Sequence, residues 1–275
     1  MQIPNEMRDS VVFLYCVVQG ETRPAGTAFF VAYNIVPESP GNAFHVVLTA
    51  HHVIDSIRRL SDDGIVRMRL NTKGGGTAWF HCPVDSWRHD DPNVDCALLP
   101  WYPPDELDAK YAAWQLAGGT ATDEEMANQQ IGIGDEIFMV GLFRRHLGRD
   151  QNEPIVRVGN IAALPAEPIK SKKYPSMRAI LVEARSIGGL SGSPVFVHMG
   201  YMRWIDRQLT LHVARSYARA LGGRSGRHRR PLDRGFRGSE HPLRHWRRRA
   251  SRANPRCNQP LPRAVRRDAQ TRAER

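Results

Sequence analysis

Gly188-Gly189-Leu190-Ser191-Gly192-Ser193-Pro194-Val195-Phe196 is the stretch on which the reading of this chain turns. A serine between glycines, after an apolar run and before a Pro-Val-Phe strand start, can sit on a tight turn with its backbone amides pointing inward. The glycines permit φ > 0 and leave room for a substrate carbonyl to approach the backbone. An oxyanion hole at the amides of Gly189 and Ser191 needs both properties. An ordinary strand-entry turn has the same composition, so the decision falls to residues elsewhere in the chain.

Working outward, the chain reads as short β-segments separated by turn clusters. Residues 11–19 (VVFLYCVVQ), 26–33 (GTAFFVAY), 44–49 (FHVVLT), 65–71 (IVRMRLN), 78–82 (AWFHC) and 94–101 (VDCALLPW) are rich in branched and aromatic side chains. Residues 102–130 break the pattern with Pro, Ala, Gly and acidic residues and read as a linker. Strands resume at 136–143, 155–163 and 178–184, the last running into the serine turn. Strands at this spacing predict an all-β barrel or sandwich rather than alternating βαβ units.

A serine hydroxyl becomes a useful nucleophile when a neighbouring base takes its proton and a carboxylate orients that base. Two upstream segments offer these groups. Leu48-Thr49-Ala50-His51-His52-Val53-Ile54 ends an apolar strand in two histidines, and Asn93-Val94-Asp95-Cys96-Ala97-Leu98-Leu99 leads a carboxylate into a very apolar strand. Burying that charge is costly unless a donor meets it, and an imidazole is a suitable donor.

Together the three segments resemble the trypsin/chymotrypsin-like serine peptidase family. LTAHHV resembles its Thr-Ala-x-His segment, VDCALL its Asp-x-Ala-Leu segment and GLSGSPV its Gly-x-Ser-Gly-Gly/Ser-Pro segment, while GTAFFVAY resembles the Gly-x-x-Phe/Trp segment before the histidine strand. The order His, Asp, Ser is the family's, and the separations of 43 and 96 residues are close to the roughly 45 and 93 of the triad template. An α/β-hydrolase fits worse, because its elbow needs Gly where this chain has Ser193 and its order puts serine first.

The resemblance implies two six-stranded antiparallel β-barrels with the site between them: residues 1–115 carrying His52 and Asp95, and residues 116–205 carrying Ser191, the second barrel short of strands. It implies a serine endopeptidase acting on a peptide or protein substrate through an acyl-enzyme. His52 rather than His51 matches the general base, Asp95 the orienting carboxylate, Ser191 the nucleophile, and the Gly189 and Ser191 amides the oxyanion hole. Arg185, six residues before the serine, stands at the position that sets specificity. A non-catalytic binding protein on the same fold is the alternative. Two departures stand out: Val53 where secreted members often carry a disulfide cysteine, and Leu190 where an acidic residue often precedes the serine, which argues against activation by amino-terminal cleavage.

The formal net charge of +11 hides an asymmetry. Residues 201–275 hold 21 arginines, no lysine and 5 acidic residues, a balance of +16, so residues 1–200 carry the remaining −5. Residues 206–275 therefore read as a basic, irregular tail in which 207–221 has a helical spacing of Leu209, Val213, Tyr217 and Leu221. From residue 222 on there is neither periodicity nor a core. Two readings stay open: a basic arm for nucleic acid or another polyanion, or an out-of-frame translation of GC-rich codons. No apolar run is long enough to span a membrane, and no secretory signal stands at the start, so a cytoplasmic protein is expected. Cys16, Cys82, Cys96 and Cys257 show no CxxC pair and read as reduced thiols, with no metal or cofactor implied.

Overall fold

In the computed structural model, the described residues are 3–34, 43–91, 94–116, 119–169, 176–177, 179–184, 188–200, 202–205, 208–211 and 216–220. Almost all regular structure is β, as expected. The first body consists of β1 (Val11–Val18), β2 (Glu21–Asn34), β3 (Ala43–Thr49), β4 (Ile65–Thr72), β5 (Thr77–Pro83) and β6 (Ala97–Pro100), paired antiparallel in the order β5-β4-β1-β2-β3-β6. Gln19 and Gly20, both at positive φ, make the two-residue turn that joins β1 to β2, the form whose twist matches the strands it connects. Just after β5, Arg88 exchanges two backbone hydrogen bonds with Leu98 of β6. That isolated bridge brings the segment after β5 alongside β6, the other end of the strand order.

The core of this barrel is built from the inward residues of its strands, among them Leu14, Phe30, Val47, Met68, Leu99 and Trp101. Helix α1 (Asn5–Asp9) precedes β1, and helix α2 (His51–Leu60) follows β3 directly. Helix α2 buries Val53, Ile54 and Ile57 on the barrel, the i, i+1, i+4 stripe of an amphipathic helix.

The segment read as a linker carries structure of its own. Within it, β7 (Ala109–Lys110) adds to β4 and β8 (Trp114–Gln115) runs parallel to β2. Helix α3 (Asp123–Asn128) starts at Thr122, whose hydroxyl accepts the Glu125 amide, a conventional N-cap.

The second body comprises β9 (Glu136–Gly141), β10 (Ile155–Ala163), β11 (Leu181–Ala184) and β12 (Pro194–His198), then the hairpin β13 (Met202–Ile205) with β14 (Gln208–Leu211), and β15 (Ser216–Ala220). Its sheet runs β11-β10-β9-β12-β15. Among the described residues this sheet is open, with β11 and β15 at its edges. The helix expected over 207–221 is not formed: β14 and β15 occupy that span, and β15 pairs with β12 from Pro194↔Ala220 to His198↔Ser216. An i, i+4 pattern of only four apolar residues is weak, and a partner strand that offers a full ladder overrides it. Residues 221–275, the remainder of the arginine-rich tail with Cys257, lie outside the described residues.

The two bodies share an apolar interface. Phe29, Val31 and Val46 of the first pack with Phe138, Val140 and Phe196 of the second, where Phe138 and Phe196 stack on each other at 5.0 Å across β9 and β12. A polar clamp ties the same bodies further out. The buried Arg69 guanidinium donates to the carbonyls of Leu147, Gly148 and Arg149, while Asn71 and Asn152 exchange hydrogen bonds of 3.3 and 2.7 Å.

Candidate active site

Ala50, extended at φ −70° and ψ 134°, leads the chain from β3 directly into helix α2, which puts both histidines in the helix's first turn, where backbone N–H groups lack intrahelical partners. The two rings part company there. His51 stacks on His89 with ring centroids 3.5 Å apart and planes 9° apart. His52 instead faces the segment that leads into β6.

Asp95, buried to 6 % exposure, meets His52 twice. One carboxylate oxygen accepts the His52 backbone N–H at 2.8 Å, and the other lies 2.6 Å from the ring Nδ1. The first contact satisfies an orphan donor at a helix N-terminus, where negative charge is favoured. The second, to an ionised carboxylate that can only accept, puts the proton on Nδ1 and leaves Nε2 as the basic nitrogen. The neighbouring thiol reflects the same surroundings: burial, with the Asp95 charge second, pushes Cys96 up to about 12. Cys96 also presents its carbonyl to His89 Nδ1 at 2.8 Å, which fixes the strand entry beside Asp95.

The serine turn comes from the second body and lies against the first. Gly189 and Gly192 adopt positive φ, +117° and +85°. A Cβ on Gly192 would stand 2.2 Å from the Thr27 carbonyl oxygen, 2.3 Å from Thr49 Oγ1 and 3.1 Å from the Ala50 nitrogen. Backbone therefore packs on backbone between the residue after Ser191 and the residues before His51. On the other side of the turn, a Cβ on Gly189 would stand 2.6 Å from the Leu142 carbonyl oxygen. Both glycines are required by contact as well as by φ.

Thr27 of β2 was not singled out by sequence reasoning, and it holds this turn. Fully buried, it donates its amide to the Ser191 carbonyl at 2.9 Å and its hydroxyl to the Gly189 carbonyl at 2.8 Å. The same hydroxyl accepts the Leu142 amide at 2.9 Å, and the Thr27 carbonyl accepts the Thr49 hydroxyl at 2.7 Å. The adjoining Gly26 is equally constrained, since a Cβ there would meet Val53 at 2.9 Å and the Ser191 carbonyl at 3.1 Å. The available signal was the Gly-Thr pair opening GTAFF, a small residue and a hydroxyl at the head of an apolar strand.

Of the residues singled out in the sequence, then, His52 and Asp95 are in direct contact. Ser191 and Gly189 lie on a turn packed against Thr27, Thr49 and Ala50, the last of these two residues before His52 in the chain. Arg185 lies outside the described residues. Ser193, two residues beyond Ser191, is buried with its hydroxyl lacking a hydrogen-bond partner among the described residues. No group of three or more metal-ligating side chains is found among the described residues, and no helix there is long and apolar enough to cross a membrane.

Fold and site together define a β protein of two mostly antiparallel bodies, with a His–Asp pair on the first and a glycine-flanked serine turn from the second packed on Thr27, Thr49 and Ala50. No family model matches the chain, and no curated protein matches it. Among solved structures it is similar to Deg5, at 18% identity and TM-score 0.45 over 70% of this chain and 75% of that one. It is also similar to the MamO protease domain from Magnetospirillum magneticum, at 14% identity and TM-score 0.45 over 79% and 93%. The tobacco etch virus protease follows, at 10% identity and TM-score 0.39 over 72% and 67%.

Proposed function

We propose that the chain is a serine endopeptidase in which Ser191 is the nucleophile, His52 the general base and Asp95 the residue that orients it. The observation that carries this reading is the two-point contact of Asp95 with His52, on ring Nδ1 and backbone N–H at once. A carboxylate used only to cap a helix needs the second of these contacts. One that also fixes an imidazole tautomer needs the first.

The chemistry follows from that arrangement. His52 Nε2 takes the Ser191 hydroxyl proton as Oγ attacks a peptide carbonyl. Asp95 stabilises the imidazolium without itself being protonated. The imidazolium then gives its proton to the leaving amine, and the acyl group stays on Ser191. Water, deprotonated by the same imidazole, releases the acid and restores the serine. The amides of Gly189 and Ser191 are the donors proposed for the oxyanion.

A fluorophosphonate tests this directly. Active protein is expected to label covalently at Ser191, and Ser191→Ala and His52→Ala are expected not to. Labelling that persists in Ser191→Ala rules out the assignment.

A further inference from the structure

We infer that the Thr27 side-chain hydroxyl is a positioning residue for the serine turn, anchoring Gly189 from the opposite body and so holding the oxyanion donors in place. The inference deepens the peptidase reading and, in its catalytic half, rests on it.

Gly189 is one of the two positive-φ glycines that flank Ser191 in this turn. It lacks a Cβ and stands at φ +117°, so nothing intrinsic to the residue fixes the peptides on either side of it. The restraint comes from outside, across 162 residues of sequence: the Thr27 hydroxyl donates to the Gly189 carbonyl at 2.8 Å. That hydroxyl is itself oriented, because the Leu142 amide donates to it at 2.9 Å and so directs its own proton onward to Gly189. The chain Leu142 N–H, Thr27 O–H, Gly189 C=O runs through a dry contact in which Thr27 is 0% exposed and Leu142 is 0% exposed. A hydrogen-bonded chain in such a place polarises along its length and costs much to leave half made.

The rest of Thr27 separates the two roles of this residue. Its amide holds the Ser191 carbonyl and its carbonyl holds the Thr49 hydroxyl, and both contacts survive any change of side chain. Only the hydroxyl reaches Gly189. Thr27→Val keeps the shape and the backbone contacts while removing the Gly189 anchor, and Thr27→Ser restores the anchor at the expense of a methyl group. Loss of orientation at a catalytic donor is worth up to about 10²-fold in rate even when the displacement is near 1 Å.

The test uses the full chain and two readouts. Amide hydrogen exchange over the peptides containing residues 188–193 and Leu142 is expected to quicken in Thr27→Val and to return towards the wild-type rate in Thr27→Ser. The fluorophosphonate labelling rate at Ser191 is expected to fall by about 10²-fold in Thr27→Val and to recover in Thr27→Ser. Should Thr27→Val not fold, Thr27→Ala against Thr27→Ser makes the same comparison. Exchange that is unchanged by loss of the hydroxyl, or not rescued by serine, overturns the inference. Exchange that responds as expected in a wild-type protein that never labels supports the anchor and overturns the peptidase reading instead.

Discussion

Asp95 and His52 are joined at two points, with carboxylate oxygens 2.8 Å from the backbone nitrogen and 2.6 Å from the ring Nδ1. The carboxylate thus fixes the ring relative to its own helix, and rotation of the imidazole breaks one bond without touching the other. Asp95→Asn keeps the shape and can still accept the backbone N–H, but its amide can donate to Nδ1 and favours the wrong tautomer. Peptide hydrolysis is expected to drop by about 10⁴-fold in kcat, with the unfolding midpoint moved far less. Steady-state kinetics beside a urea titration separates the two, and a kcat near wild type means His52 is not the base.

Ser193 offers the opposite test, a polar deletion that should help. Its hydroxyl is buried against Gly141, without a partner among the described residues. Leaving such a group dry costs about 1–3 kcal/mol, and removing it recovers part of that. Ser193→Ala is expected to be as stable as wild type or more so in urea. A loss of 1 kcal/mol or more, on the order of an ordinary hydrogen bond, shows that the hydroxyl is satisfied.

Burial pushes His45 below the ordinary imidazole value of 6.5, and it pushes His81 the same way with the Arg67 charge adding to it. Both histidines therefore favour the neutral form when folded, while the unfolded chain takes up protons near pH 6.5. The unfolded state binds more protons below that value, so the contribution of these two histidines to stability is present above about pH 6.5 and is lost as the pH falls below it. His45→Gln retains a group that can meet the Tyr111 hydroxyl, now 3.0 Å from Nδ1, and removes one titration. Urea midpoints at pH 7.5 and 5.5 are expected to differ less in the variant than in wild type. An equal difference means that His45 titrates alike in both states.

What could be read from the sequence was whatever is local. His52, Asp95 and the serine turn were each singled out from about half a dozen neighbours, because histidines ending an apolar strand, a carboxylate heading an apolar strand and a glycine-flanked serine are short-range patterns, whereas the helix that begins at His51 was not read. Six strands of the first barrel were legible for the same reason, since branched residues such as those of β1 declare their state over eight positions. Thr27 was not legible, since its hydroxyl acts on residues 115 and 162 positions away. Strand β15 was misread because its ladder with β12 is likewise a long-range fact, and four apolar residues in helical spacing could not reveal it.

Arg69 links the two bodies through three carbonyls of one loop, at 3.3, 2.9 and 2.6 Å, with only 8% of the residue exposed. Its stem packs inside while its charge-assisted donors meet three carbonyls of a part-buried loop. Arg69→Met keeps most of the stem and strands those carbonyls. Hydrogen bonds to a charged group are worth about 1.5–3 kcal/mol each when made, so a loss of at least about 2 kcal/mol is expected in urea unfolding. Proteolysis within residues 144–151 should quicken as well. Unchanged stability and cleavage mean the loop is held elsewhere.

Gly192 decides whether the serine turn can exist in this form at all. It lies at φ +85°, and a Cβ there would be 2.2 Å from the Thr27 carbonyl oxygen and 2.3 Å from Thr49 Oγ1. The first of these obstacles is backbone, which cannot swing aside as a side chain can. The second is a hydroxyl engaged with that same carbonyl. Gly192→Ala therefore forces either an unfavourable backbone well, at about 1–3 kcal/mol, or separation of the turn from Thr27 and Thr49. Separation moves Ser191 away from the segment that carries His52. The expected result is a lowered urea midpoint together with loss of fluorophosphonate labelling at Ser191, whereas Gly20→Ala, with nothing within 4 Å of its Cβ but the same sign of φ, should lose stability and keep labelling. If both variants label alike, the close packing of Gly192 on Thr27 is not what brings the serine to the histidine.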